Sequence, residues 1–347
     1  MKLKLDKKDF APFLQTLMDH YDLFAPVQLA EGVSAYKKID RPGEVNFDLL
    51  NPQKPMKEVF FPQSEVMFCF QRVGRKHQVS APEETKRERV ILGARPCDIE
   101  AISMIEDVYC GKEYTDVYFK NKREATTIIG MACDTPLSTC FCASMGGGPF
   151  VRKGADILLI DIGDAYLAEL LTEKGKRFLQ SEYLKEASAQ ELALAEEAEK
   201  KASKKLELPP DHVLPIDGIE KKLDSLVESP FWSRIHEKCI GCSTCTFLCP
   251  TCHCFDIVDE SSGDSGQRVR NWDSCLSSLY SLETSGHNPR PGGRERTRQR
   301  IMHKLNYFPK LFGKIACVGC GRCILYCPVN FDIRQTIEEI QKEPIAK

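Results

Sequence analysis

The sequence has no run of about 18 apolar residues, the length needed for a membrane-crossing helix, and its opening MKLKLDKKDF has no apolar core of the kind a secretory signal carries. Both absences point to a cytoplasmic chain. It has almost no net charge: 48 Lys and Arg against 50 Asp and Glu leave a formal −2. That gives no global attraction to nucleic acid or anionic lipid. It also lacks both phosphate-binding glycine signatures, G-x-G-x-x-G and G-x4-G-K-[ST], and any triad-like hydrolytic motif. A hydrophobic content of 42% with 28% charged residues excludes a wholly disordered chain. At 347 residues the chain exceeds the roughly 250–300 at which one core stops growing, so more than one domain is expected.

Cysteine is what the sequence has in excess. There are 17, an odd number, with no export signal to place them in an oxidising compartment. A disulfide framework is therefore a poor account of them, and metal ligation a better one. Isolated cases such as Cys69 and Cys110 fit buried thiols used as small apolar groups.

Two segments share one pattern. Cys239, Cys242, Cys245 and Cys249-Pro250 form the first; Cys317, Cys320, Cys323 and Cys327-Pro328 form the second. Both read C-x2-C-x2-C-x3-C-P, the run of two-cluster bacterial ferredoxins. Three thiols two residues apart cover three corners of a 4Fe-4S cube from one loop. The fourth is expected to start a helix pointing away and so to ligate the other cluster. The spacing therefore assigns Cys239, Cys242, Cys245 and Cys327 to one cluster, and Cys317, Cys320, Cys323 and Cys249 to the second. Gly241 and Gly319 suit the tight loops. Zinc sites use Cys pairs rather than triplets ending in Cys-Pro. The gap of 67 residues between Cys249 and Cys317 implies a large insert, which itself holds Cys252, Cys254 and Cys275. These three either bind another metal, with His253 as a conceivable fourth ligand, or line a cluster pocket.

In the N-terminal half the runs VFF (59–61), VMFCF (66–70), RVILGA (89–94), TTIIGMA (126–132) and ADILLID (155–161) read as strands, with helices expected over 7–24 and 101–109. Cys97 follows the third run, Cys133 the fourth, and Cys140 and Cys142 come shortly after. In a parallel sheet the loops at the strands' carboxyl ends converge, so these four thiols could hold a third 4Fe-4S cluster, hold zinc, or pack as inert thiols. Gly146, Gly147 and Gly148 read as a turn. Residues 164–206, rich in Leu, Ala, Glu and Lys, read as one helix or a helical hairpin, broken by Pro209 and Pro210. A short helix is expected near 217–228, and loops at 259–268 and 285–293. The run from Arg290 to Lys304 either offsets cluster charge, docks an acidic partner or is a solvated basic helix. The resulting organisation is an α/β domain at 1–163, a helical charged segment and linker at 164–215, and an α+β ferredoxin-like 2[4Fe-4S] domain at 216–347 with its insert at 251–316.

GARPCDIEAI, ACDTPLSTCFCASMGGGP, CIGCSTCTFLCPTCHCFDI, RNWDSC and ACVGCGRCILYCP together resemble the iron–sulfur beta subunit of cytoplasmic sulfhydrogenases. They are also similar to the corresponding iron–sulfur component of anaerobic sulfite reductase, and related subunits accompany heterodisulfide-reductase-type complexes. The resemblance implies a non-catalytic subunit carrying single electrons between a flavoprotein of the NAD(P)-reductase type and a terminal redox subunit. It carries over to the eight motif cysteines and to Cys97, Cys133, Cys140 and Cys142. The alternative is a self-sufficient iron–sulfur reductase with a substrate site in the N-terminal domain.

Overall fold

A computed structural model of the chain describes residues 1–49, 51–82, 87–206 and 213–344. Pro209 and Pro210 lie outside the described residues. The framework is a mixed sheet of eight strands in the order β10-β1-β9-β8-β7-β6-β2-β3. These are β1 (Lys2–Asp6), β2 (Asp22–Ala30), β3 (Val33–Lys38), β6 (Arg89–Ala94), β7 (Thr126–Met131), β8 (Ile157–Asp161), β9 (Ala165–Leu170) and β10 (Leu184–Glu186). The central strands β2, β6, β7 and β8 run parallel, and the remaining pairs are antiparallel.

Side-chain alternation decides what each face packs against. On β6, Val90 and Leu92 enter a core with Phe13, Leu14 and Leu17 of the opening helix. Ile91 and Ala94 enter a second core with Ile99, Ile102 and Ile105. On β8, Ile157 and Leu159 face the first core, while Leu158 and Ile160 face Ala195 and Ala202 of the helix Ala189–Leu206.

Several sequence expectations are corrected here. The opening helix starts as expected, with a 3-10 turn at Lys7–Asp9 leading into Phe10–His20, but ends early because β2 takes over at Asp22. The run at 59–61 falls in and just after a one-turn helix, Lys57–Phe60, because three apolar residues are too few to carry a period. Residues 164–206 are not all helix: β9 crosses the sheet with all six residues buried. A strand buried on both faces shows no alternation, and Ala, Leu and Glu mimic helix propensity. The helix at Ala189–Leu206 begins at a capping box. Ser188 Oγ accepts from the Glu191 amide at 3.3 Å, and Glu191 Oε2 accepts from the Ser188 amide at 2.8 Å.

The expected loop at 259–268 is a hairpin of β11 (Phe255–Ser262) and β12 (Ser265–Trp272). It completes an antiparallel sheet, β11-β12-β4-β5, with β4 (Ser64–Val73) and β5 (Lys76–Ser80) from the N-terminal half. Arg270 anchors it by ion pairs to Glu65 and Asp116. The insert is thus stitched to the first half of the chain. A further core joins Leu223, Trp232, Ile301, Leu305, Ile333 and Ile337, and Phe141 of the N-terminal Cys loop belongs to it.

Candidate metal centre

The two cysteine runs form two loops, each leading into a one-turn helix, Thr244–Phe247 or Arg322–Leu325. Ser243 and Gly321 enter these turns with positive φ. The fourth cysteine of each run follows its helix instead of starting one, a correction to the sequence reading. Each helix contains the third cysteine and ends two residues before the fourth, and the Pro after the fourth stands in a turn.

One cavity, about 520 Å3 including its mouth, is lined by Cys239, Cys242, Cys245 and Cys327, with Cys323 also on its wall. Thus a thiol of the second loop faces three thiols of the first. Backbone amides already point at these sulfurs: Gly241 N–H donates to Cys239 at 3.4 Å and Phe331 N–H to Cys327 at 3.1 Å. Cys242 is exposed, and Ile240 and Val329 beside it are exposed apolar residues.

A second cavity, about 440 Å3, is lined by Cys97, Cys133, Cys140 and Cys142, with Cys320 and Arg95. The parallel neighbours β6 and β7 deliver Cys97 and Cys133 from their carboxyl ends. A bulge between Leu92 and Ala94 turns the chain into the first loop. Burial pushes all four thiols upward in pKa, Cys142 to about 11 with Cys140 and Cys133 adding to it. Arg95 spans the site, donating to Ala132 O at 3.2 Å, Phe47 O at 3.1 Å and Leu49 O at 3.2 Å.

The second cysteine loop is pressed onto this N-terminal site. Phe141 N–H donates to Gly319 O at 2.8 Å, and Asn51 Nδ2 to Cys320 O at 2.7 Å. A Cβ on Gly319, whose φ is +61°, would stand 2.5 Å from the Cys142 amide nitrogen. Gly241 has φ +69° but an open surround, with Leu276 O no closer than 4.0 Å. The two glycines therefore answer different demands, one for conformation alone and the other also for contact between the two halves. Arg322, from the same loop, makes two hydrogen bonds to Asp98 at 2.7 and 2.8 Å and a third to Pro52 O at 2.7 Å.

Among the described residues no three His, Cys, Asp or Glu side chains converge tightly enough for a single metal ion. The thiols of the first loop with Cys327, and those of the N-terminal half, instead line the two cavities. Residues 238–331 match the family described as a 4Fe-4S dicluster domain. This segment is a 4Fe-4S dicluster domain. The whole chain is similar to Sulfhydrogenase 2 subunit beta of Pyrococcus furiosus, 29% identical over 343 residues, which are 98% of each chain. The family resemblance read from the cysteine segments is borne out. The chain is an iron–sulfur electron-transfer protein homologous to a sulfhydrogenase subunit. No solved structure matches it. None of its described helices is long and apolar enough to cross a membrane.

Within the dicluster domain, Cys249 is buried beside Cys252, and its sulfur lies 3.3 Å from Lys304 Nζ and 3.1 Å from Thr251 Oγ1. Cys317, Cys320 and Cys323 all feel the charge of Cys249. Cys254 and Cys275 form a second thiol pair, and the hydrogen bond from Cys275 holds Cys254 down at about 6. His253 is not aimed at these thiols. Its Nδ1–H donates to Thr251 O at 3.1 Å, its ring stands edge-on to His303, and burial lowers it to about 4, so it is neutral at pH 7.

The basic run also resolves. Gly293–Met302 is a helix. Arg294, Arg296 and Arg298 donate to backbone carbonyls nearby, whereas Arg300 and Lys304 turn inward to cysteine side chains. Their i, i+4 spacing was the available signal that they share a face. The buried Lys57 and the Asp98–Arg322 pair carried no such signal, because their partners are distant in sequence.

Proposed function

We propose that this chain is an electron-relay subunit with three 4Fe-4S clusters in a row. Cys239, Cys242, Cys245 and Cys327 hold the first, Cys317, Cys320, Cys323 and Cys249 the middle one, and Cys97, Cys133, Cys140 and Cys142 the third. The clusters supply one-electron carriers. The chain's own residues fix their order, shield them and supply compensating charge.

One observation carries the reading. The loop 317–323 contributes Cys323 to the wall of the first cavity and Cys320 to the wall of the second. Ligands of the middle cluster therefore touch both outer sites, an arrangement suited to stepwise transfer. The exposed Cys242 edge is one terminus. The partners at the two ends are those the family resemblance implies, a flavoprotein of the NAD(P)-reductase type and a terminal redox subunit.

The test is metal analysis of the full chain purified without oxygen. Three clusters give about twelve iron and twelve sulfide per chain, and Cys97→Ser should bring this to about eight. Eight in the native chain would leave only the dicluster pair, and zinc without extra sulfide would make the N-terminal site structural.

A further inference from the structure

Three buried cations surround the middle group of thiols without a carboxylate among them. Lys304 is 3% exposed; its Nζ donates to Cys249 Sγ at 3.3 Å, Thr251 Oγ1 at 3.0 Å and Ala316 O at 3.0 Å. Arg300, one turn earlier and 5% exposed, lines the first cavity with Cys245 and Cys323, and its Nε has no hydrogen-bond partner. Lys57, 2% exposed, donates to Cys252 O at 2.8 Å and stands over the Trp272 ring at 4.2 Å. Among the described residues none of the three makes an ion pair. By contrast, Arg322, the buried cation within the run 317–323, is neutralised by Asp98.

An uncompensated buried cation is costly unless an anion faces it. A 4Fe-4S cube with four thiolates is such an anion, and reduction adds one more negative charge to it. Nearby positive charge and hydrogen bonds to sulfur therefore favour the reduced form. Their distribution is uneven. Among the described residues Lys304 is the one charged side chain that donates directly to a proposed ligand sulfur. Arg300 is shared between the first and middle sites, and Lys57 adds to the middle one.

Building on the relay proposed above, we infer that the middle cluster is the first of the three to be reduced, and that Lys304 is the positioning residue that keeps it so. Reduction adds one electron from the donor subunit or a chemical reductant. The relay thus has a dip at its centre, where an electron waits between the two ends.

The experiment is an anaerobic redox titration of the full chain followed by electron paramagnetic resonance. Cys249→Ser identifies the middle cluster's signal. In the native chain that signal should appear first. In Lys304→Met its reduction constant should fall about tenfold, a shift of 59 mV for a one-electron couple, while the other two signals stay in place. Lys304→Arg should restore most of the shift. A middle signal that appears after the others in the native chain would overturn the inference. So would an unchanged position in Lys304→Met at full iron content. Should Lys304→Met lose iron, the native order and the Lys304→Arg titration still decide. Fewer than three clusters, or a Cys249→Ser change confined to the signal of loop 239–245, would instead count against the relay itself.

Discussion

Replacing Asp98 by Ala should be among the most damaging single changes in this protein outside its cysteines. Asp98 is wholly buried and Arg322 is 1% exposed at the side chain. They meet through two hydrogen bonds of 2.7 and 2.8 Å. Asp98 sits in the first turn of the helix Pro96–Tyr109, next to Cys97, and Arg322 lies between Cys320 and Cys323. The pair therefore clamps the second cysteine loop onto the N-terminal site. Removing the carboxylate leaves a guanidinium in the interior with only Pro52 O as partner. Breaking a buried pair from one side costs about 3–5 kcal/mol, roughly two to three and a half decades in a folding equilibrium. The desolvation of Arg322, not the attraction itself, sets that figure. Asp98→Ala with Arg322→Met should then be less destabilised than Asp98→Ala alone, since the orphaned charge is gone. Denaturant unfolding of the anaerobic full chain measures both variants. An Asp98→Ala loss below about 1 kcal/mol, the range of an exposed pair, would refute the reasoning. So would a double variant worse than the single one.

Cross-ligation predicts that Cys327→Ser changes the signal of the cluster on loop 239–245, and Cys249→Ser that of loop 317–323; changes confined to each residue's own loop would exclude it. Gly319→Ala should lower iron retention more than Gly241→Ala, because only the former meets the Phe141–Cys142 backbone; equal losses in metal analysis would show that positive φ alone matters. Ser188→Ala should cost about 1 kcal/mol of local helix stability, seen as faster amide exchange near Leu192, and unchanged exchange would mean the capping box is not what holds that end. The purified chain alone should pass electrons from a chemical reductant to a dye without oxidising NAD(P)H; NAD(P)H oxidation by the chain itself would point to the self-sufficient reductase.

The sequence alone determined the chemistry. Thiol spacing in C-x2-C-x2-C-x3-C-P is a local constraint, since three sulfurs on one loop must match one cube, and it can be read without any fold. The strands β6, β7 and β8 were equally legible at 89–94, 126–131 and 157–161, because β-branched runs bounded by turns carry their own signal. The strand β9 was not, since burial on both faces erased its period. The hairpin β11–β12 was hidden because DESSGDSGQR is polar on its exposed face and owes its strands to pairing with β4. The charges around the thiols lay further still from view. Lys57 reaches Cys252 across 195 positions, and Arg322 reaches Asp98 across 224. Burial and long-range pairing make those contacts, and neither leaves a mark in nearby sequence. Only the tertiary structure decided which cations face which thiols, because that depends on how the insert and the second loop fold back onto the first half of the chain.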